Sequence, residues 1–354
     1  MTSTVRLILW IIIISFWVVF LFLKLKPEKT YSVILMDNSE MSDHFYIPVT
    51  IDDREYKFLF DTGASHNVID SALAQNIGLK KSDGTVFLEI KRFFETRADS
   101  IDYVIKNFSF ENLKTTGIFL LNGYKGFFLE DTLLMKKVGA IMGMETIKNF
   151  NWLFNFPESS VNISKGKIKI PALKDDQILT VEYHDSVLTP LRVNLTIEGI
   201  KIQNILFDTG FGRSSIQSFG KYKQIDIFFS QSDFEVLTAN DKKEKIIFPS
   251  EMGDLYIIDS MQINDFTMQG MLVIVHNNYD ETYVTASFFR RFRMMYFDSM
   301  NKKIQLYVSP SDSARHHRRD LQNFRRALLQ HSEDNQGKNT EEASQLPASI
   351  IDLW

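Results

Sequence analysis

The sequence has no cysteine in its 354 residues, which excludes disulfide bonds, thiolate-held zinc, iron–sulfur clusters and a thiol nucleophile together. Histidine is scarce, with seven in the chain. His316 and His317 stand in a basic stretch without acidic or histidine companions at ligand spacing, so no metal site and no cofactor are expected. Gly-rich phosphate loops, Gly-x-Ser-x-Gly nucleophile turns and zinc-binding helices are also missing. Neither sign of charge is in excess: 40 Lys+Arg stand against 44 Asp+Glu, a formal charge of -4. That balance offers a polyanion nothing, and nucleic acid is not expected as a partner. Hydrophobic residues make up 44% and charged residues 24%, values of a folded globular chain with length for about two domains.

Long hydrophobic runs are rare, and the one present lies at the N-terminus. Leu7 to Leu23 is apolar except for Ser15, and the stretch extends to Val5 and Leu25 by admitting Arg6 and Lys24, whose stems reach an interface. At 1.5 Å per residue these lengths cover roughly 25 Å and roughly 31 Å, enough to cross a bilayer. Trp10, Phe16, Trp17, Phe20 and Phe22 leave no polar face, and no small-residue cleavage site follows, so an uncleaved single-pass anchor is expected. Lys24, Lys26 and Lys29 after the run outnumber Arg6 and the α-amino group before it, a count that on its own puts the body in the cytoplasm.

The body repeats itself. Lys57-Phe58-Leu59-Phe60-Asp61-Thr62-Gly63 matches Asn204-Ile205-Leu206-Phe207-Asp208-Thr209-Gly210. Alternating segments, Ile47 to Ile51 and Leu191 to Ile197, precede the two windows and end in Asp52-Asp53 and Glu198-Gly199, so each copy opens with a hairpin whose second strand runs into Asp-Thr-Gly. Downstream, Gly139 to Gly143 matches Tyr283 to Ala286 at nearly the same interval. Other segments rich in Val, Ile, Phe and Tyr read as strands, among them Val86 to Ile90, Ile101 to Phe110, Leu255 to Ile258 and Met271 to His276. The clearest helix is Ser71 to Ile77, with Asp70 as N-cap and Gly78 as its stop. The polar turn at Lys174-Asp175-Asp176 separates the copies. The domains expected are an anchor over 1–29, a first lobe over 30–174, a second lobe over 175–309, and over 310–354 a basic helix followed by a polar tail.

Chance supplies Asp-Thr-Gly about 0.07 times in a chain of this length. Its double occurrence points to paired carboxylates. Two carboxyl groups about 3 Å apart cannot both ionise cheaply and hold one proton between them. The ionised member takes a proton from an attacking water, and the protonated member donates to the developing oxyanion. Thr62 and Thr209 offer hydroxyls to tie one loop to the other, and Gly63 and Gly210 permit tight loops close to a substrate.

Phe60 to Ile69 resembles the active-site loop of retropepsin-like aspartic proteases, Asp70 to Leu79 is similar to the helix that follows it, and Ala140-Ile141-Met142-Gly143 resembles the family's second signature. The resemblance covers roughly Thr30 to Val308. It implies an all-β, bilobed acid-protease-like barrel made of two duplicated halves, and an endopeptidase with Asp61 and Asp208 as catalytic dyad and Gly63 and Gly210 facing the substrate backbone. It also implies a peptide or protein substrate and a body outside the cytoplasm. The second copy departs from the pattern at Phe211-Gly212-Arg213, where small residues are usual, and at Ala286, where glycine is usual. Two alternatives follow from those departures: a peptide-binding module that does not cut, or a homodimer that pairs Asp61 with its counterpart in a second chain. Ile90 to Ser100 and Leu237 to Pro249 are the candidate flaps. The sequence gives no oligomeric state.

Overall fold

The computed structural model describes residues 10–18, 30–34, 44–51, 54–76, 99–102, 108–110, 113–114, 125–129, 139–171, 177–184, 190–211, 225–238, 248–250, 253–276 and 280–308. Gly78, Val86 to Ile90, most of both candidate flaps, the boundary at 174–176 and the basic helix lie outside them. Residues 10–18 form helix α1, and every one of its side chains is exposed. This is the middle of the expected span. Among the described residues no helix is long and apolar enough to cross a membrane.

The first copy runs through β1 (Thr30–Ile34), β2 (Tyr46–Ile51), β3 (Arg54–Phe60), β4 (Val68–Asp70), α2 (Ser71–Asn76), β5 (Asp99–Asp102), β6 (Phe108–Phe110), β7 (Leu113–Lys114), β8 (Lys125–Leu129), β9 (Ala140–Met142), α3 (Met144–Ile147), β10 (Asn151–Asn155) and β11 (Ser160–Ser164). The second runs through β12 (Gln177–His184), β13 (Arg192–Ile197), β14 (Ile200–Asp208), β15 (Ile227–Ser230), α4 (Gln231–Thr238), β16 (Phe248–Ser250), β17 (Gly253–Ile263), β18 (Phe266–His276), β19 (Tyr283–Thr285), α5 (Ala286–Phe289), β20 (Met294–Asp298) and β21 (Lys303–Val308). The fold is all-β with brief helices, as expected. The expected single strand from Ile101 to Phe110 is instead two, β5 and β6, paired to different partners, β8 and β2.

Both expected hairpins form. Glu198 (φ 51) and Gly199 (φ 77) give the turn between β13 and β14 two successive positive φ angles, the geometry that matches the twist of a two-residue hairpin. Each hairpin's second strand then lies parallel to a later strand: β3 to β9 with Phe60 opposite Met142, and β14 to β19 with Asp208 opposite Thr285. The next strand pairs antiparallel to that one, β4 to β9 and β15 to β19. It also pairs parallel to another, β4 to β8 and β15 to β18. In the second copy β17 also meets β13 at Ile263 and Ile197, which closes the β13–β14–β19–β15–β18–β17 ring into a barrel.

A six-strand floor joins the copies in the order β1-β11-β10-β20-β21-β12. At its centre β10 and β20 are antiparallel, with Leu153 opposite Tyr296, flanked by Trp152 opposite Phe297 and Phe154 opposite Met295. One continuous core rests on this floor. Fully buried Phe60 packs edge-on to Trp152 and Phe154, with ring centroids 5.0 and 4.9 Å away, and buried Phe207 packs edge-on to Phe289 at 5.2 Å. The two Asp-Thr-Gly loops therefore leave rigid strands whose last apolar residue is anchored in a packed core.

Candidate active site

The side chain of Asp61 is fixed by its own loop. The Gly63 N–H donates to Asp61 Oδ1 at 2.8 Å and the Ala64 N–H to the same oxygen at 3.0 Å. Asp208 repeats the arrangement, with Gly210 N–H and Phe211 N–H each donating to Oδ1 at 2.9 Å. Both aspartates are half-buried, and so are Gly63 and Gly210.

The loops face each other. A methyl group built on Gly63 would overlap the Asp208 carboxyl, and one built on Gly210 would overlap the Asp61 carboxyl, so each glycine is required by the opposite loop. The two carboxyls also share a hydrogen bond. Burial pushes the Asp208 carboxyl well above the usual carboxylate range, the charge of Asp61 and their hydrogen bond push the same way, and the Gly210 and Phe211 N–H groups oppose the rise. The two carboxyls interact directly, so their titration belongs to the pair.

Beneath the carboxyls the threonines cross. Thr62 N–H donates to Thr209 Oγ1 at 3.0 Å and Thr209 N–H to Thr62 Oγ1 at 3.1 Å. Each hydroxyl then donates to the strand opposite, Thr62 to the Phe207 carbonyl at 2.5 Å and Thr209 to the Phe60 carbonyl at 2.7 Å. Both threonines are buried, so this reciprocal set of bonds sets the spacing of the loops in a low-dielectric place.

Gly143 threads under the first loop. A Cβ there would strike the backbone carbonyl of His66, while the Gly143 N–H is received by Asn67 Oδ1 at 3.1 Å and Met144 N–H donates to the Ala64 carbonyl at 2.8 Å. In the second copy the corresponding bond, from Ala286 N–H to the Phe211 carbonyl, is longer at 3.3 Å. The strand register sets Ala286 against Met144 and Thr285 against Gly143, and Thr285 and Gly143 each stand just before the short helix. The departure from glycine expected at Ala286 therefore falls at Thr285, which is buried with its hydroxyl donating to the Ile225 carbonyl. Phe211 is buried too, edge-on to Phe228 at 4.8 Å and stacked on Tyr283 at 5.7 Å. Its ring packs into the second copy's aromatic core, where the register sets Ala64, Val68 and Ile141 of the first copy against Phe211, Phe228 and Tyr283. His66 is a polar neighbour of Glu145 at 3.4 Å.

Two residues escaped the sequence reading. His44 is buried, and its Nε2 lies 3.0 Å from the Gly210 carbonyl oxygen; it pairs across the copies and no local motif marks it. Arg290 donates to the His44 carbonyl at 2.8 Å. Aligning the copies on their hairpins sets His44 against Pro190, a difference in donor capacity that was the available signal.

Among the described residues no group of three or more His, Asp or Glu is placed to hold a metal ion. Residues 47–134 match the family model for aspartyl proteases. Among solved structures, a retropepsin-like aspartic protease from Rickettsia conorii aligns with 39% of this chain and 94% of its own length, at 19% identity and a TM-score of 0.27. No curated protein matches. Over residues 47–134, the stretch that carries Asp61-Thr62-Gly63, this chain is similar to the aspartyl proteases.

Proposed function

We propose that this protein is an aspartic endopeptidase whose dyad, Asp61 and Asp208, comes from two duplicated lobes of one chain, 30–174 and 175–309. The observation that carries this reading is the mutual approach of the loops, each carboxyl lying against the other loop's glycine and hydrogen-bonded to the other carboxyl. A water between them loses a proton to the ionised carboxylate as its oxygen bonds to the scissile carbonyl carbon. The protonated carboxyl passes its hydrogen to the carbonyl oxygen, giving a neutral gem-diol. The carboxyl that took the water's proton then gives a proton to the amide nitrogen while the other, now ionised, takes one from a gem-diol hydroxyl. The C–N bond breaks, an acid and an amine leave, and the pair returns to its starting state. Gly63 and Gly210 leave room for a peptide backbone over the carboxyls. The burial of Phe211 among Phe228 and Tyr283 supports cutting over mere binding, and the Asp61–Asp208 approach within one chain supports an active monomer over a dimer that pairs Asp61 twice.

Residues 5–25 then act as a single membrane anchor, with the body outside the cytoplasm. Protease protection on intact cells checks that orientation. The test of activity is cleavage of a peptide mixture by the full chain in detergent between pH 3 and 7, read by mass spectrometry. Asp61→Asn and Asp208→Asn are each expected to lower turnover by at least about a thousandfold, and the specific rate is expected to hold on dilution. Undiminished cleavage by both variants would overturn the dyad.

A further inference from the structure

The arm that leads into β2 carries a side chain that hydrolysis as described leaves unused. His44 is 2% exposed, and its Nε2 faces the Gly210 carbonyl oxygen at 3.0 Å, so that nitrogen carries a proton and donates. The Gly210 carbonyl and the Phe211 N–H are the two ends of one planar peptide group. That N–H donates to Asp208 Oδ1 at 2.9 Å. A two-bond relay therefore runs from the imidazole through a single peptide to the carboxylate, and donation into the carbonyl strengthens donation at the other end. The arm is itself held: Arg290 donates to the His44 carbonyl at 2.8 Å with its guanidinium 5.4 Å over the Phe45 ring, and the Phe60 N–H donates to the Phe45 carbonyl at 2.8 Å.

The first loop is built otherwise. Phe207 N–H donates to the Leu191 carbonyl at 3.0 Å as Phe60 N–H does to Phe45, so Leu191 matches Phe45 and Pro190 matches His44. Proline has no donor for the Gly63 carbonyl, although the Ala64 N–H still reaches Asp61 Oδ1 at 3.0 Å.

We propose that His44 is a positioning residue that clamps the Gly210–Phe211 peptide against Asp208 and makes the two aspartates of the site unequal. The inference rests on the hydrolytic reading for its kinetic test and on geometry alone for its spectroscopic one. The groups facing His44 are the Arg290 guanidinium, the Tyr46 ring at 5.9 Å and, through the peptide, Asp208. Glutamine at position 44 keeps an N–H donor without titrating, whereas phenylalanine keeps bulk without a donor.

The experiment compares the full-length wild type, His44→Gln and His44→Phe in kcat, KM and pH profile on a peptide that the wild type cleaves, with thermal unfolding to verify folding. His44→Phe is expected to lose about 10- to 100-fold in kcat with little change in KM, as a small displacement of a catalytic group does. Its basic limb is expected to move to higher pH, because the Asp208 anion has lost support and the proton that this acid must hold is given up later. His44→Gln is expected to restore most of kcat. Wild-type kinetics in His44→Phe, or equal loss in both variants, would overturn the assignment, the second by showing that ring packing matters and donation does not. In parallel, the Gly210 carbonyl 13C resonance is followed from pH 7 to 3. A titration step there in the wild type that both variants lack supports the relay even if no peptide is cleaved, in which case the peptidase reading alone falls; no such step rejects the relay.

Discussion

Asp208 is an acid that its surroundings favour in the protonated form, by burial first and by Asp61 second. A carboxyl whose folded-state pKa lies above its unfolded value binds more protons folded than unfolded in the interval between the two. Stability therefore falls as pH rises through that interval, and the full cost is present above it. Asp208→Asn mimics the protonated form and keeps an acceptor for Gly210 and Phe211. Its melting temperature should exceed that of the wild type at pH 7, with the difference shrinking toward pH 3; a lower value at pH 7 would contradict the assignment. His44 has the opposite sign. Burial, with Arg290 beside it, pushes the imidazole down to about 4 from 6.5, so the unfolded chain takes up the proton first and stability is lost as pH falls across that range. The full effect is about 3 kcal/mol, and His44→Gln should flatten the decline in denaturant titrations at pH 7 and pH 4. At Gly63 and Gly210, alanine would drive a methyl into the opposite carboxyl, and either substitution should lower kcat at least about 100-fold.

At the scale of elements, the loops depend on the threonine cross beneath them. Removing one hydroxyl strands buried donors and acceptors on the other loop, at about 1–3 kcal/mol. Thr62→Val and Thr209→Val should each cost that much in urea unfolding, and the double variant should cost less than their sum, because the two share the same bonds. A second structural pair lies in the second copy, where buried Arg291 meets buried Asp226 through Nε at 2.5 Å and Nη2 at 2.6 Å and also donates to the Gln269 and Gly270 carbonyls at 2.9 and 2.6 Å. The pair binds α5's C-terminal side to β18 and to the start of β15. Arg291→Met leaves a buried carboxylate alone and should destabilise by about 3–5 kcal/mol, while replacing both partners with apolar residues should recover much of the loss.

At the scale of the whole molecule, what the sequence disclosed and what it hid divide by range. The hairpins into Asp61 and Asp208 and the Asp70 cap, which receives the Leu73 N–H at 3.0 Å, are local patterns. Alternation, turn residues and a repeated triplet are enough to place them. The six-strand floor was not legible, because pairing β1 with β11 and β10 with β20 is decided by side chains far apart in sequence. The same holds for His44 to Gly210 and for Asp226 to Arg291, whose partners carry no motif. Phe211 read only as a departure from small residues in sequence because its packing partners, Phe228 and Tyr283, come from other strands.

The account turns on two carboxyls sharing a proton across the junction of the copies, and the most direct measurement is a carboxyl 13C titration of the full chain labelled at aspartate. The account predicts that Asp61 and Asp208 respond together in two separated steps, and that Asp61→Asn collapses the Asp208 response to one step at lower pH. Independent single titrations of both residues in the ordinary aspartate range would contradict it.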